Sequence, residues 1–251
     1  MREAYTWFFF LVALLGVINW HNSRSLKHLF FALIGFFGAT FFHGGMFVGA
    51  LVFLMFVGLS FIGDMFGTLR VGRIKIKTFF SIFFMIFCVG YFVSGKISLP
   101  KIGNFSEMFE MERIIIKTSK SQSGDASYPD WLVVNKPTEL VYKTPLRAIY
   151  FLFAPFPWNV SKKSHLIGMF DGFLYIGMIF LILKNIKTIL RNPALKLILI
   201  ILICYFFVFG IGVGNFGTGL RHRAKFVIAL ILLAAPFLPR FIFFKKKLDK
   251  F

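Results

Sequence analysis

The chain has 251 residues, of which 58% are hydrophobic, and it carries a formal net charge of +19. An ordinary soluble domain is about 45–50% apolar, and the excess here lies in continuous runs, without the alternating pattern of a transmembrane β-barrel. Because only helices and closed barrels satisfy their backbone groups in lipid, the composition excludes a soluble domain. It predicts an all-α, polytopic transmembrane helical bundle.

Seven apolar runs are predicted to be membrane spans, since a span needs roughly 20 apolar residues and somewhat shorter ones are tolerated. In chain order they cover residues 5–20, 29–42, 46–63, 78–94, 167–183, 197–213 and 225–244.

An eighth run, residues 146–158, is interrupted by Pro155 and Pro157. Proline breaks helices, so this run is predicted to be an interfacial or re-entrant segment, with Trp158 at the level of the lipid headgroups.

The spans divide the chain into four parts. Residues 1–94 hold the first four spans, 95–145 an extracytoplasmic loop, 146–166 the interfacial segment, and 167–251 the last three spans with a cytoplasmic tail. The loop contains six of the ten acidic residues and is expected to include a short helix near residues 107–117.

Lysine and arginine collect in alternate connections, around residues 24–27, 70–77, 184–196 and 245–250. Short cytoplasmic loops carry this excess of positive charge, so all four clusters are assigned to the cytoplasm together with the C-terminus. The charge therefore reflects topology, and we expect no nucleic-acid partner.

Several basic residues are predicted to lie at the opposite, outer face, where positive charge is normally avoided. They are Arg2, Arg147, Lys162, Lys163, Arg221, Arg223 and Lys225. Arginine binds phosphate oxygens in a bidentate manner, which suits a pyrophosphate. The alternative is that these side chains extend to the phosphates of the surrounding lipids.

Two further residues are candidates for acid–base chemistry. Asp171 lies inside the fifth span, and an intramembrane carboxylate is a functional candidate by default; the alternative is a structural ion pair between helices. His43 lies between the second and third spans at the outer face and is a candidate general base near neutral pH, or it is simply a polar turn residue beside Gly44 and Gly45.

In the outer loop, residues 124–131 combine acids with Tyr128 and Trp131, a mixture that suits sugar rings or an ordinary packed turn. The string Gly212-x-Gly214-x-x-Gly217 matches a dinucleotide fingerprint only formally, because it follows a membrane span. The sequence contains no metal-binding spacing, and we expect no metal and no cofactor.

Four strings in the sequence resemble bacterial membrane proteins that polymerise O-antigen or capsular polysaccharide from oligosaccharide repeat units. They are Arg2-Glu-Ala4, Phe41-Phe-His43, the stretch from Leu146 through Trp158 to Asp171, and Asn215-Phe-Gly-Thr-Gly-Leu-Arg-His-Arg223. The resemblance covers essentially the whole chain, which is similar to the C-terminal half of such polymerases, so the chain is expected to be that half.

The resemblance implies glycosyl transfer at the outer face of the bacterial inner membrane, with a polyprenyl-pyrophosphate-linked oligosaccharide as donor. It implies that Arg147, Arg221 and Arg223 bind the pyrophosphate, with Arg2 as a further candidate, and that His222 and Trp158 also bind the substrate. Asp171 or His43 would assist the acceptor hydroxyl. Membrane lipids, a chain-length regulator and a flippase are the partners it suggests.

Three other functions remain open at this stage. A ligase would move finished glycan onto another acceptor, a transporter would move the lipid-linked sugar, and an assembly subunit would catalyse nothing. Transporters usually show paired halves, and no such symmetry is visible in the sequence.

Overall fold

The computed structural model of the chain describes residues 2–70, 90, 115–116 and 124–238, and residues 65–70 by their backbone only. Within these ranges the protein is helical and contains no β-strand. The described α-helices of six residues or more are α1 Arg2–Ser23, α2 Leu26–Phe42, α3 Phe47–Arg70, α4 Glu139–Phe153, α5 Lys163–Lys184, α6 Ile186–Arg191, α7 Pro193–Gly212, α8 Phe216–Arg223 and α9 Val227–Ala234.

Four segments of the described chain are long and apolar enough to cross a membrane: Arg2–Ser23, Gly44–Asp64, Lys163–Lys184 and Pro193–Gly212. They coincide with four of the predicted spans and confirm a helical, membrane-embedded protein. The apolar helix Leu26–Phe42 is shorter, at 17 residues.

The total of seven spans stays a prediction. The span predicted at residues 78–94 lies outside the described residues except for residue 90, and the short helix expected near 107–117 does so except for 115–116. Of the span predicted at 225–244, residues 225–238 are described; there α9 is flanked by the 3-10 turns Ala224–Phe226 and Ala235–Phe237. The cytoplasmic tail also lies outside the described residues.

Helices α1 and α2 form a tight antiparallel hairpin. Arg24, between them, adopts a left-handed backbone with φ of 51° and donates its N–H to Trp20 O at 2.7 Å. A Cβ atom at Gly16 would lie 2.5 Å from the backbone N of Ala32. Small residues therefore let the two backbones approach closely, as is common between membrane helices.

Helix α7 occupies the centre of the bundle. The Tyr205 hydroxyl donates a hydrogen bond to Met46 O at 2.7 Å, which ties α7 to the start of α3. The same ring stacks on Phe226 at 5.0 Å and meets Phe10 of α1 edge-on at 5.7 Å. Helix α1, the start of α3 and the turn between α8 and α9 therefore all contact α7 through Tyr205. Aromatic contacts of this kind stabilise a fold by more than their buried area alone.

Helix α4 runs antiparallel to α7. Ala148 contacts Gly210, and three residues later Phe151 contacts Phe209, with ring centroids 5.9 Å apart. The end of α4 lies beside Gly172, where a Cβ atom would come within 2.7 Å of Phe153 O. Helix α5 begins at Lys163, nine residues before Gly172. The segment between α4 and α5 therefore runs alongside α5, back towards its first residue.

The segment predicted at residues 146–166 does not begin at a break in the helical structure. Helix α4 begins at Glu139, so it extends across the boundary that the sequence suggested between residues 145 and 146. After it come a cis Ala154–Pro155 peptide bond and the 3-10 turn Pro157–Asn159.

Candidate functional site

The short helix α8 carries three consecutive charged or titratable residues, and its position is fixed at its first turn. The Asn215 side chain accepts hydrogen bonds from Gly217 N at 2.8 Å and Thr218 N at 3.3 Å, which caps the helix. The preceding strand-like residues pair with the outer loop, since Tyr128 N donates to Gly214 O and Phe216 N donates to Ala126 O. Helix α8 is therefore anchored between the loop and the bundle.

Arg223, at the end of α8, is completely buried and has its guanidinium directed at protein acceptors. Nη1 donates to Leu152 O at 2.8 Å and Ala154 O at 2.7 Å, while Nη2 donates to Gly168 O at 3.0 Å. Nε donates to Asp171 Oδ2 at 2.8 Å. These contacts join α8 to the end of α4 and to α5.

Asp171 is the carboxylate partner of Arg223, so the sequence-predicted acid and one of the predicted arginines do come together. Its Oδ2 atom takes both contacts, with Nη2 of Arg223 at 2.7 Å. The carboxylate side chain is 40% exposed, and the Arg223 guanidinium also lies 5.0 Å from the ring of Tyr175. The ion pair orients two elements, while part of the carboxylate stays accessible.

Arg147, on α4, is buried in the same manner. Nε donates to Gly210 O at 3.1 Å, and Nη2 donates to Val213 O at 2.8 Å and Ile211 O at 3.2 Å. Nη1 donates to Leu132 O of the outer loop at 2.8 Å. The last carbonyls of a helix lack intrahelical donors. At the end of α7, the Arg147 guanidinium provides these donors.

The two buried arginines make a reciprocal pair of helix caps. Arg147 extends from α4 to the carbonyl end of α7, and Arg223, in the chain that follows α7, extends to the carbonyl end of α4. A cation at a helix C-terminus also interacts favourably with the helix dipole. Two of the residues predicted to bind pyrophosphate, Arg147 and Arg223, therefore direct their donors to the protein.

A second cluster lies where α8 meets the start of α1. Lys225 is completely buried, and its Nζ is 2.8 Å from Oε2 of Glu3. The same carboxylate is 3.8 Å from Nε of Arg221, whose side chain is 65% exposed. We call Glu3, Arg221, His222, Lys225 and His43 the Glu3 cluster.

The two histidines predicted from the sequence belong to this cluster. His222 Nδ1 is 2.7 Å from Lys225 Nζ, and its ring meets that of His43 edge-on at 4.7 Å. His43 also stacks on Phe209 of α7 at 5.0 Å. The imidazoles therefore connect the end of α2, α7 and α8, and they lie next to the exposed Arg221.

Arg2 and Trp158 lie at the surface. Arg2 is exposed in the first turn of α1, next to Glu3. Trp158 is 72% exposed and stacks on Phe156 at 4.8 Å, in a row of rings that continues through Tyr150 to Trp131. Trp158 thus belongs to the aromatic surface of the outer loop.

The outer loop is held to the bundle by ionic and buried polar groups. Lys162 forms an ion pair with Asp125, and the hydrogen bond from its ammonium lowers the pKa of that carboxyl. Burial raises the pKa of Tyr128, whose ring lies 5.7 Å from the Arg147 guanidinium. Residues 124–135 are thereby fixed next to α4 and α8.

Glu3 was not predicted to be a site residue, and Lys225 was noted only for its charge. A signal for Glu3 was present, because it is the only acidic residue before Asp64 and lies among seven apolar or aromatic neighbours at the start of a span. Its pairing with a lysine 222 positions away in the sequence required the fold.

Comparison of the chain with protein-family models, with curated proteins and with solved structures gives no significant match. The class that the structure itself defines is a helical membrane protein with buried arginines and a basic, histidine-containing cluster on the side of α8.

Proposed function

We propose that this protein polymerises polyprenyl-pyrophosphate-linked oligosaccharide repeat units by glycosyl transfer at the outer face of a bacterial inner membrane. The motif resemblance suggests the chemistry. The observation that supports it is the exposed Arg221 on α8, beside the His222–His43 pair and the buried Lys225.

The geometry divides the arginines into two groups. Arg147 and Arg223 hold α4, α7 and α8 in place, because their donors are occupied by protein oxygens. Arg221 and Arg2 are exposed, and Arg221, which lies in the Glu3 cluster, is the residue that takes the pyrophosphate oxygens. Negative charge grows on the leaving pyrophosphate as the bond to the sugar breaks, and a fixed guanidinium stabilises that charge.

In the transfer step, the acceptor hydroxyl oxygen forms a bond to the anomeric carbon while the bond to the pyrophosphate oxygen breaks. The hydroxyl proton must pass to a base. Asp171 acts as this base through the accessible part of its carboxylate. His43 acts as the base if the acceptor approaches from the Glu3 cluster. Separate substitutions of Asp171 and His43 distinguish these two routes. Trp158 and the neighbouring rings offer apolar faces to the sugars.

The test compares surface and lipid-linked glycans on a gel for wild type, a gene deletion and Arg221→Gln. We expect the deletion and Arg221→Gln to shorten the ladder towards a single repeat unit, with about a hundredfold loss of long chains, the low end of what a lost charge-stabilising donor costs. Arg191→Gln is the matched control. Arg191 is also an exposed arginine, but it lies between the end of α5 and the start of α7, at the end of the bundle opposite Arg221.

The same gel separates the alternatives. Long chains that accumulate on the lipid carrier indicate a ligase. An unchanged ladder in the deletion strain contradicts glycan polymerisation by this chain and favours a transport or assembly subunit. Short ladders in Arg191→Gln as well as Arg221→Gln indicate a general loss of protein, which membrane abundance measures directly.

This function places the protein in the cytoplasmic membrane of a bacterium with its C-terminus in the cytoplasm. A flippase that delivers the repeat unit and a chain-length regulator are the partners that such a reaction requires. Co-purification of either with the tagged full chain tests the association.

A further inference from the structure

An apolar groove opens between the outer ends of α1 and α2. It has a volume of about 790 Å³, and its lining is almost entirely apolar. The residues that form it are Ala4, Tyr5, Phe8, Phe9, Gly38, Phe41 and Phe42. A volume of this size lies within the roughly 300–1,000 Å³ of small-molecule sites.

The groove follows from the sequence of the hairpin. Deeper in the bundle, Gly16 and Gly35 allow the helix backbones into direct contact with Ala32 and Ala13. Towards the outer end the facing residues become aromatic, and Tyr5 stacks on Phe42 at 5.1 Å. There the contacts between the two helices are made by ring side chains, and the space beside these rings is open at the surface.

The charge at the mouth of the groove is positive. Helical periodicity places Arg2 on the same face of α1 as Tyr5 and Phe9, which line the groove. Arg2 is exposed, and no carboxylate in the described part of the chain is paired with it. The neighbouring carboxylate of Glu3 is engaged by Lys225 at 2.8 Å. An anion is the complementary ligand at this position.

The groove is long enough for the upper part of one lipid chain in the outer leaflet. From Arg2 to Phe9 the helix rises about 10 Å, at 1.5 Å per residue. A ligand with its charge at Arg2 would therefore extend its tail about one third of the way across a hydrocarbon core that is roughly 30 Å thick. The groove suits a tail that enters from the membrane surface.

We propose that this groove binds an anionic phospholipid of the outer leaflet, with one acyl chain between α1 and α2 and the phosphate at Arg2. This site is separate from the glycan chemistry proposed above, since it needs neither His43 nor Asp171. The bound lipid fills the space between the helix ends beside the Glu3 cluster.

The experiment reconstitutes the purified full chain in vesicles of equal parts phosphatidylglycerol and phosphatidylcholine, then counts co-purifying lipids by native mass spectrometry. Wild type should retain phosphatidylglycerol in preference to phosphatidylcholine. Arg2→Gln should lower that preference by about fivefold, which corresponds to the roughly 1 kcal/mol that a basic residue gains near anionic lipid. Lys184→Gln, at the cytoplasmic end of α5, should leave it unchanged.

A second pair of variants tests the groove itself. Ala4→Trp places a ring in the groove without changing charge and should abolish retained lipid. Ile34→Trp adds the same bulk on α2, at a residue that is 60% exposed and outside the groove, and should have no effect. Circular dichroism verifies that both variants remain helical.

Equal lipid retention by Ala4→Trp and Ile34→Trp would overturn the proposal, as would an unchanged preference in Arg2→Gln. A third arm adds a polyprenyl phosphate to the same vesicles. If that compound displaces phosphatidylglycerol at equal concentration, the groove belongs to an isoprenoid chain and the phospholipid assignment is wrong. Because the readout is bound lipid, its failure is distinct from failure of the glycan gel.

Discussion

Arg223 shows how a residue that resembles a ligand-binding group can be structural. Its buried guanidinium makes hydrogen bonds to three backbone carbonyls and an ion pair with Asp171. An unpaired buried polar group costs about 1–3 kcal/mol, so loss of this residue would destabilise the fold.

We expect Arg223→Ala to lower the free energy of unfolding by about 3–5 kcal/mol, because it leaves Asp171 and the carbonyls at the end of α4 without donors. Asp171→Asn should cost less, about 1–2 kcal/mol, since that side chain is 40% exposed. Thermal unfolding of the detergent-solubilised protein, followed by circular dichroism, measures both.

Arg221→Ala is the control for that comparison, because its side chain is 65% exposed and it should change stability by less than about 0.5 kcal/mol. Equal stability of Arg223→Ala and Arg221→Ala would contradict the structural role of Arg223.

Part of this residue-scale picture could be predicted from the sequence. A structural ion pair between helices is one of the two predictions for Asp171, and in the structure Asp171 pairs with Arg223. The sequence could not show that Arg147 caps α7, because its acceptors are backbone carbonyls 63 to 66 residues away. Backbone acceptors have no residue-type signature.

At the scale of elements, the close packing of the α1–α2 hairpin depends on glycines. A Cβ atom at Gly16 would contact the backbone of Ala32 at 2.5 Å. The four long apolar helices were predicted correctly, since twenty apolar residues give a strong signal. Which glycines lie at interfaces was not predictable, because periodicity does not identify the partner helix.

Gly16→Ala should destabilise the hairpin by about 1–3 kcal/mol, the cost of overpacking a close helix contact. Gly177→Ala is matched to it, because Gly177 also lies in a long apolar helix but has no atom within 4 Å of the added methyl group. That control should be neutral or slightly stabilising, as alanine favours helix. Melting temperatures of the two variants provide the comparison, and an equal shift would argue against close packing at Gly16.

Helix α8 offers a test that links capping to function. Asn215→Ala removes the side chain that accepts from Gly217 N and Thr218 N and should cost about 1 kcal/mol. Asn192→Ala removes the equivalent cap of α7, which accepts from Ala194 N and Leu195 N, and should cost about the same.

Only Asn215→Ala should also reduce glycan polymerisation, because α8 positions Arg221 and His222. The ladder assay and the melting temperature are measured on the same preparations. If both asparagine variants reduce polymerisation equally, α8 has no special role beyond stability.

At the scale of the whole molecule, topology is the property that the charge pattern predicts. Exposed Lys184 and Lys187 lie at one end of the bundle, while Ser161 and the start of α5 lie at the other. Cytoplasmic loops carry the basic excess, which assigns the first end to the cytoplasm.

A cysteine-labelling experiment tests this assignment after Cys88 and Cys204 are replaced by serine. In spheroplasts, a membrane-impermeant maleimide should label Ser161→Cys directly and Thr188→Cys only after permeabilisation, since both positions are exposed on the protein surface. The reverse pattern would invert the topology and move the Glu3 cluster to the cytoplasmic side.

The reciprocal arginine caps also affect the order in which the helices assemble during synthesis. Arg147 leaves the ribosome well before its acceptor Val213 O, which lies 66 residues further along the chain. At about 5–20 residues per second, this interval lasts several seconds. Until then only Leu132 O of its acceptors has been synthesised. A guanidinium that lacks most of its partners avoids the bilayer interior, so we expect α4 to stay at the hydrated membrane surface during that time. Its docking against α7 is therefore a late event in the biogenesis of the protein, one that waits until α7 has been inserted.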